Sequence, residues 1–94
     1  MKHYVLLYGV VSDYAARRAP FRDEHLGLVH QARARGDVVM AGALGDPPDG
    51  ALLIFQAESP SIVEAFALAD PYVRHGLVTA WSVRPWNVVV GREA

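Results

Sequence analysis

The spacing of apolar residues changes several times along this 94-residue chain and divides it into predicted strands and helices. Short segments rich in β-branched and aromatic residues are typical of strands. The first and third of these segments are apolar on both alternating faces, which is typical of central strands that are covered on both sides. The predicted strands cover residues 2–11, 37–44, 51–55 and 77–84, with residues 88–90 extending the last one beyond Pro85.

Two longer segments carry apolar residues at the spacing of one helix face. The first predicted helix covers residues 20–35 and ends before Gly36, and its inward stripe contains Phe21, Leu28, Val29 and Ala32. The second begins after Ser59, a predicted N-cap, with Pro60 in its first turn, and it ends near Asp70 before Pro71. Two short helical turns are predicted at residues 14–18, with Asp13 as a possible cap, and at residues 71–75.

The resulting order, β-α-β-β-α-β, predicts a single α+β domain over residues 1–94 with the ferredoxin-like arrangement of an antiparallel sheet. Right-handed crossovers place both helices on one face of that sheet and make strands one and three central. Pro85 assigns the fourth strand to an edge. The opposite sheet face then carries uncovered apolar residues, so we expect a homodimer that packs sheet against sheet.

Composition narrows the range of functions. The net charge of −1, with acidic residues around Arg17, Arg18 and Arg22, argues against nucleic-acid binding. Cysteine is absent, which excludes disulfides, thiolate nucleophiles and zinc-thiolate sites. Residues 1–11 are too short to span a bilayer, and no small-residue cleavage site follows them, so we expect no membrane partner and a cytoplasmic location.

His25 lies in the apolar stripe of the first helix, where a buried polar group needs a partner. One interpretation is a neutral core histidine that is hydrogen-bonded to a carbonyl group. The other is a general acid or base, since imidazole titrates near neutral pH. The candidate partner is Asp70, which precedes Pro71 and therefore also suits the N-cap of a short helix. A carboxylate has enough acceptor sites for both roles, and an Asp–His dyad would orient the imidazole.

Other residues are candidates for substrate binding. Arg22, three positions before His25, is suited to a substrate carboxylate or phenolate, although a solvated arginine paired with a nearby acid is an equally good interpretation. Tyr72, Trp81 and Trp86 are candidates for an apolar pocket or for plain core and interface positions. No metal site is predicted, because no tight ligand spacing supports a set such as His25, Asp70 and His75. Phosphate-binding glycine and Gly-x-Ser-x-Gly motifs are absent, and no cofactor is predicted.

Several short motifs occur in an order that resembles the YCII-related (YciI-like) family. They are Arg22-x-x-His25-Leu26, Gly36 followed by Ala41-Gly42, Asp49-Gly50-Ala51-Leu52, Asp70-Pro71-Tyr72, Gly76-Leu77 and Pro85-Trp86. One departure is Gly42-Ala43, where many members have Gly-Pro. The resemblance implies a dimeric α+β barrel of ferredoxin-like halves, with a His–Asp active-site pair that maps onto His25 and Asp70. One branch of the family is a dehydrochlorinase that acts on chlorinated hydroxyquinols.

Two functional hypotheses follow. The first is a cofactor-free lyase or isomerase in which His25 moves a proton on a small, aromatic or lactone-like molecule while Arg22 anchors an anionic group. The second is a ligand-binding or regulatory interaction module that uses the same pocket without turnover, which the missing nucleophile, metal and cofactor motifs also allow. Heme or oxygen chemistry, as in relatives of the fold, is disfavoured.

Overall fold

The computed structural model describes residues 1–91, in which four strands and four α-helices follow the predicted order. A 3₁₀ turn, Ala19–Phe21, leads directly into the longest helix. The strands are β1 (Lys2–Val10), β2 (Val38–Leu44), β3 (Gly50–Ala57) and β4 (Val78–Trp86), and the helices are α1 (Tyr14–Arg17), α2 (Arg22–Ala34), α3 (Pro60–Ala69) and α4 (Pro71–Arg74).

The four strands form one antiparallel sheet in the order β2-β3-β1-β4. The two strands that are apolar on both faces, β1 and β3, are therefore central, and the proline-containing β4 lies at an edge, as predicted. This confirms the α+β, ferredoxin-like fold. In the register, Tyr8 stands opposite Ala51 on one side and Trp81 on the other.

The helices cover one face of the sheet, and the core lies between the helices and the sheet. Alternate residues of the central strands point into it, and Leu6 and Phe55 are fully buried. From the helices, Ala32 of α2 and Val63 of α3 are also fully buried against these strands. This burial follows from the period-two pattern of the strands and the helical spacing of the apolar stripes.

The other face of the sheet, here called the outer face, is covered by none of the described elements. It is formed by alternate strand residues that point away from the helices, and several of them are large and apolar. Leu7 is 37% exposed, Met40 66% and Trp86 44%. The apolar side chains of the outer face are Val5, Leu7, Met40, Leu44, Leu52, Ile54 and Trp86.

Three local predictions need correction. The first long helix starts at Arg22 and not at residue 20, because Pro20 lies in the preceding 3₁₀ turn. Asp13 and Ser59 stand at helix N-caps, but their side chains make no capping hydrogen bond.

The end of the sheet also differs from the prediction. β4 runs through Pro85 to Trp86, and residues 88–90 do not extend it. Trp86 is paired with His3, close to the first residue of β1, so the neighbouring strand provides no partner for residues farther along. Within residues 1–91, no helix is long and apolar enough to cross a membrane.

Candidate functional site

Two helix starts bring His25 and Asp70 together, although 45 positions separate them in the sequence. His25 lies in the first turn of α2 and faces the core. Asp70 ends α3 with an extended backbone and is the N-cap of α4, where its Oδ1 accepts a hydrogen bond from the backbone N–H of Tyr72 at 2.9 Å. Pro71, which has no N–H to satisfy, then occupies the first position of α4.

The short helix α4 is held against α2 by two further contacts. The rings of Phe21 and His75 are stacked, with centroids 4.3 Å apart. The guanidinium of Arg74 forms an ion pair with the carboxylate of Glu24. These contacts hold α4, and therefore Asp70, next to the first turn of α2.

The Asp70 carboxylate is completely buried and accepts hydrogen bonds from three directions. Its two oxygens each lie 3.0 Å from Nδ1 of His25. The hydroxyl of Tyr8, on the central strand β1, donates to Oδ2 at 2.7 Å. An ionised carboxylate can only accept, so with Asp70 ionised Nδ1 of His25 is the donor, and Nε2 is the ring nitrogen left to act on a ligand.

Sequence reasoning did not identify Tyr8 as part of this site. Burial raises the pKa of the Tyr8 hydroxyl far above its ordinary value, and the charge of Asp70 and the hydrogen bond to it act in the same direction. Tyr8 therefore remains a donor at all ordinary pH values. The only available signal was its position on the same strand face as Tyr4 and Leu6, which shows that it points inward but not what it meets.

Tyr72 contacts the face of the His25 imidazole, whereas Asp70 contacts its Nδ1. Its ring lies almost parallel to that of His25, with centroids 4.0 Å apart and an angle of 12° between the planes. Tyr14 of α1 contacts the same Tyr72 ring edge-on at 5.7 Å. The orientation of His25 is therefore set by a hydrogen bond at Nδ1 and by a stack on the ring face.

His25 and Tyr72 line a cavity of about 240 Å³ between the helices and the sheet. Asp70 lies behind His25 and is not part of the cavity wall. Small side chains of β2 and β3 form the sheet side, and Tyr14 and α2 form the opposite side. The remaining lining residues are Arg18, Arg22, Leu26, Val29, Ala41, Gly42, Ala43, Ala51 and Leu53.

The cavity has a positive character. Arg18 and Arg22 line it, whereas no aspartate or glutamate among residues 1–91 does. Neither arginine forms an ion pair in the part of the chain that is described. The guanidinium of Arg18 lies over the Tyr14 ring, 5.5 Å from its centroid. An anionic ligand would find two unneutralised cations here, and Arg18 and Tyr14 are lining residues that sequence reasoning did not single out.

Two aromatic candidates lie elsewhere. Trp81 of β4 stands opposite Tyr8 and packs partly buried against the core, but it does not line the cavity. Trp86 lies on the outer face with 44% of its surface exposed. The structure thus brings together His25, Asp70 and Tyr72 and places Arg22 beside them, and it does not bring either tryptophan to the site.

Comparison with known sequences assigns the chain to a family. Residues 1–87 match the family model described as the YCII-related domain. The chain belongs to the YCII-related family. Among curated proteins, none matches it at a significant level.

Several solved structures share the fold. The YCII-related chain is similar to 5-chloro-2-hydroxyhydroquinone dehydrochlorinase (TftG) from Burkholderia phenoliruptrix, solved in complex with 2,5-dihydroxybenzoquinone. The TM-score is 0.76 at 22% identity, covering 90% of this chain and 93% of that one. At this identity the likeness establishes the fold alone.

Two monooxygenase structures share the architecture less closely. One, an antibiotic biosynthesis monooxygenase, has a TM-score of 0.59 at 12% identity and covers 96% of this chain and 100% of that one. The other, a putative antibiotic biosynthesis monooxygenase from Deinococcus radiodurans, has a TM-score of 0.51 at 16% identity over 100% and 98% of the two chains.

Proposed function

We propose that this YCII-related protein is a small-molecule enzyme that transfers a proton by His25 without a cofactor. The observation that carries the proposal is the imidazole at the cavity wall whose Nδ1 is held by both oxygens of a buried carboxylate. That arrangement leaves Nε2 to accept a proton from a ligand O–H or C–H group. Asp70 fixes the tautomer and stabilises the imidazolium that forms.

The reaction class that we favour is an elimination. Arg22, next to the cavity and without an acidic partner in residues 1–91, would stabilise the negative charge that develops when the proton leaves. A leaving group such as chloride would then depart with the electron pair. The similar protein TftG is named as a dehydrochlorinase and was solved with a single-ring, oxygenated ligand, which supports a lyase rather than an isomerase.

The test is whether the protein turns over 5-chloro-2-hydroxyhydroquinone, which is measured by the release of chloride. Positioned acid–base groups contribute roughly 10²–10⁴-fold to rate, so His25→Asn should lower kcat/KM by a factor in that range. The matched control is His30→Asn, since His30 lies exposed on the same helix and should be dispensable. Full activity in His25→Asn would refute the assignment.

A second candidate function is ligand binding without turnover. It is favoured by the cavity lining, which contains no serine, threonine, cysteine or carboxylate that could act as a nucleophile or hold a metal. A compound that binds to the wild-type protein and is recovered chemically unchanged would support this candidate over the enzyme.

We further propose that two copies associate through their outer faces. No described helix covers this face, and its partly exposed Leu7 lies among further apolar side chains, which is typical of an interface rather than of free surface. Leu7→Lys should convert a dimer into a monomer in light scattering at a fixed concentration. Leu68→Lys is the control, because Leu68 is 63% exposed on α3, on the helical side of the molecule. A monomeric wild-type protein would contradict the proposal.

A further inference from the structure

The hydroxyl group of Tyr72 is buried without a hydrogen-bond partner. It is the single buried side-chain nitrogen or oxygen within residues 1–91 for which no partner is found, and Tyr72 as a whole is 1% exposed. Buried polar groups are nearly always paired, because leaving one unpaired is costly. The contrast with Tyr8 is direct, since the Tyr8 hydroxyl is buried in the same core and donates to Asp70.

The position of this hydroxyl is fixed by its surroundings. The Tyr72 ring is stacked on His25 and is contacted edge-on by Tyr14. The backbone N–H of Tyr72 donates a hydrogen bond to Asp70. The ring cannot turn to find a partner elsewhere without losing these contacts. The hydroxyl group therefore stays in place, buried beside the cavity that Tyr72 lines.

The chemistry of the neighbours identifies what is missing. Burial raises the pKa of the Tyr72 hydroxyl, and the charges of Arg22 and Arg18, together with the Arg22 guanidinium as a donor toward the hydroxyl oxygen, oppose the rise only in part, so the group keeps its proton. A guanidinium has donors and no acceptor. Neither arginine can therefore accept the proton of Tyr72, and no carboxylate lines the cavity. The missing partner is an acceptor.

We propose that the Tyr72 hydroxyl binds an anionic oxygen of the ligand, and that Arg22 and Arg18 neutralise its charge. The cavity of about 240 Å³ is smaller than the roughly 300–1,000 Å³ of pockets for drug-sized ligands, which limits the ligand to about one substituted ring. The ligand class is thus a single-ring phenolate or carboxylate. This inference rests on the proposed function in taking the cavity as the ligand site, but it does not require turnover.

The test compares Tyr72→Phe with the wild-type protein, since this change removes the hydroxyl and keeps the ring stack. The probes are benzoate and 4-nitrophenolate, each paired with an uncharged ring of similar shape, benzamide and nitrobenzene. Binding is measured by calorimetry in mildly alkaline buffer, where both anions are ionised. Wild-type protein should prefer the anions, and Tyr72→Phe should bind them about 10-fold or more weakly, while its affinity for the neutral rings, whose oxygens are weaker acceptors, falls less.

Thermal unfolding separates this role from a structural one. Because the hydroxyl has no partner in the protein, Tyr72→Phe without ligand should melt no lower than the wild type, whereas Tyr8→Phe, which loses a real hydrogen bond, should melt lower. Failure of either anion to bind, equal affinity in the two proteins, or a lowered melting temperature of Tyr72→Phe would overturn the proposal and would indicate that water or the fold satisfies the group.

Failure of this inference can be distinguished from failure of the proposed enzyme. A protein that binds the anions through Tyr72 but never turns over a substrate would refute the enzyme and support the inference.

Discussion

Removing the Tyr8 hydroxyl tests the buried network most directly. In Tyr8→Phe, the completely buried Asp70 carboxylate loses a donor at 2.7 Å. Hydrogen bonds to charged groups contribute about 1.5–3 kcal/mol, so we expect a loss of about 2 kcal/mol in the free energy of unfolding. For a domain of this size, each kcal/mol lowers the melting temperature by roughly 4–8 °C, which gives a decrease of about 10 °C.

A double-mutant cycle assigns this loss to the contact itself. In an Asp70→Asn background, the Tyr8 hydroxyl meets a neutral amide, and neutral hydrogen bonds contribute only about 0.5–1.5 kcal/mol. Urea unfolding of the four proteins at one fixed concentration should therefore give a coupling energy of about 1 kcal/mol or more. Tyr4→Phe, on the same face of β1, is the control and should change stability by less than about 0.5 kcal/mol. Equal losses in both backgrounds would show that the charge of Asp70 does not strengthen its hydrogen bond with Tyr8.

Three further predictions follow from particular positions. Burial raises the pKa of the Tyr8 hydroxyl above its ordinary value of 10.0, so the unfolded chain loses that proton first as the pH rises. The contribution of Tyr8 to the free energy of unfolding is therefore fully present below pH 10 and decreases above it. The melting temperature should fall less steeply above pH 10 in Tyr8→Phe than in the wild type. Ala43→Leu, opposite Ala51 at the cavity, should abolish benzoate binding without unfolding the protein, and unchanged binding would place the ligand elsewhere. Gly45→Ala should destabilise more than Gly36→Ala. Both glycines have positive φ, but a methyl group at Gly45 would lie 3.0 Å from the backbone oxygen of Pro47 and would also displace the Asp49 side chain, whereas one at Gly36 would meet no atom within 4 Å; equal urea midpoints would contradict this.

The sequence was most informative where the spacing of apolar residues and the position of proline act locally. The two-sided apolar pattern of β1 and β3 predicted their central positions, and Pro85 correctly placed β4 at an edge. The last strand boundary was less predictable, because it depends on where the neighbouring strand begins. The sequence predicts the start of the first long helix two residues too early, because proline is favoured in a first turn and the sequence does not distinguish an α turn from a 3₁₀ turn.

The candidate site was only partly predictable, because its contacts join positions that are distant in sequence. An imidazole in an apolar stripe and an aspartate before a proline are local signals, and they indicated His25 and Asp70. That Tyr8 donates to the same carboxylate depends on where the start of α4 lies relative to β1, which no local pattern specifies. Trp81 was a reasonable pocket candidate by residue type, but it lies on β4, at the opposite edge of the sheet from the β2 residues that line the cavity.

The two roles of Asp70 make its substitution hard to interpret by itself. One oxygen caps α4 through the N–H of Tyr72, the other accepts from Tyr8, and both face His25. Asparagine can keep the cap with its amide oxygen and can donate to the rotatable hydroxyl of Tyr8, but it holds the imidazole with one acceptor and without charge. Loss of activity in Asp70→Asn with a preserved cap would therefore report on the orientation of His25. Tyr8→Phe instead disturbs the Asp70 carboxylate while His25 and Tyr72 keep their positions in the cavity wall. Only the two variants together distinguish a carboxylate that stabilises α4 from one that prepares an imidazole for proton transfer.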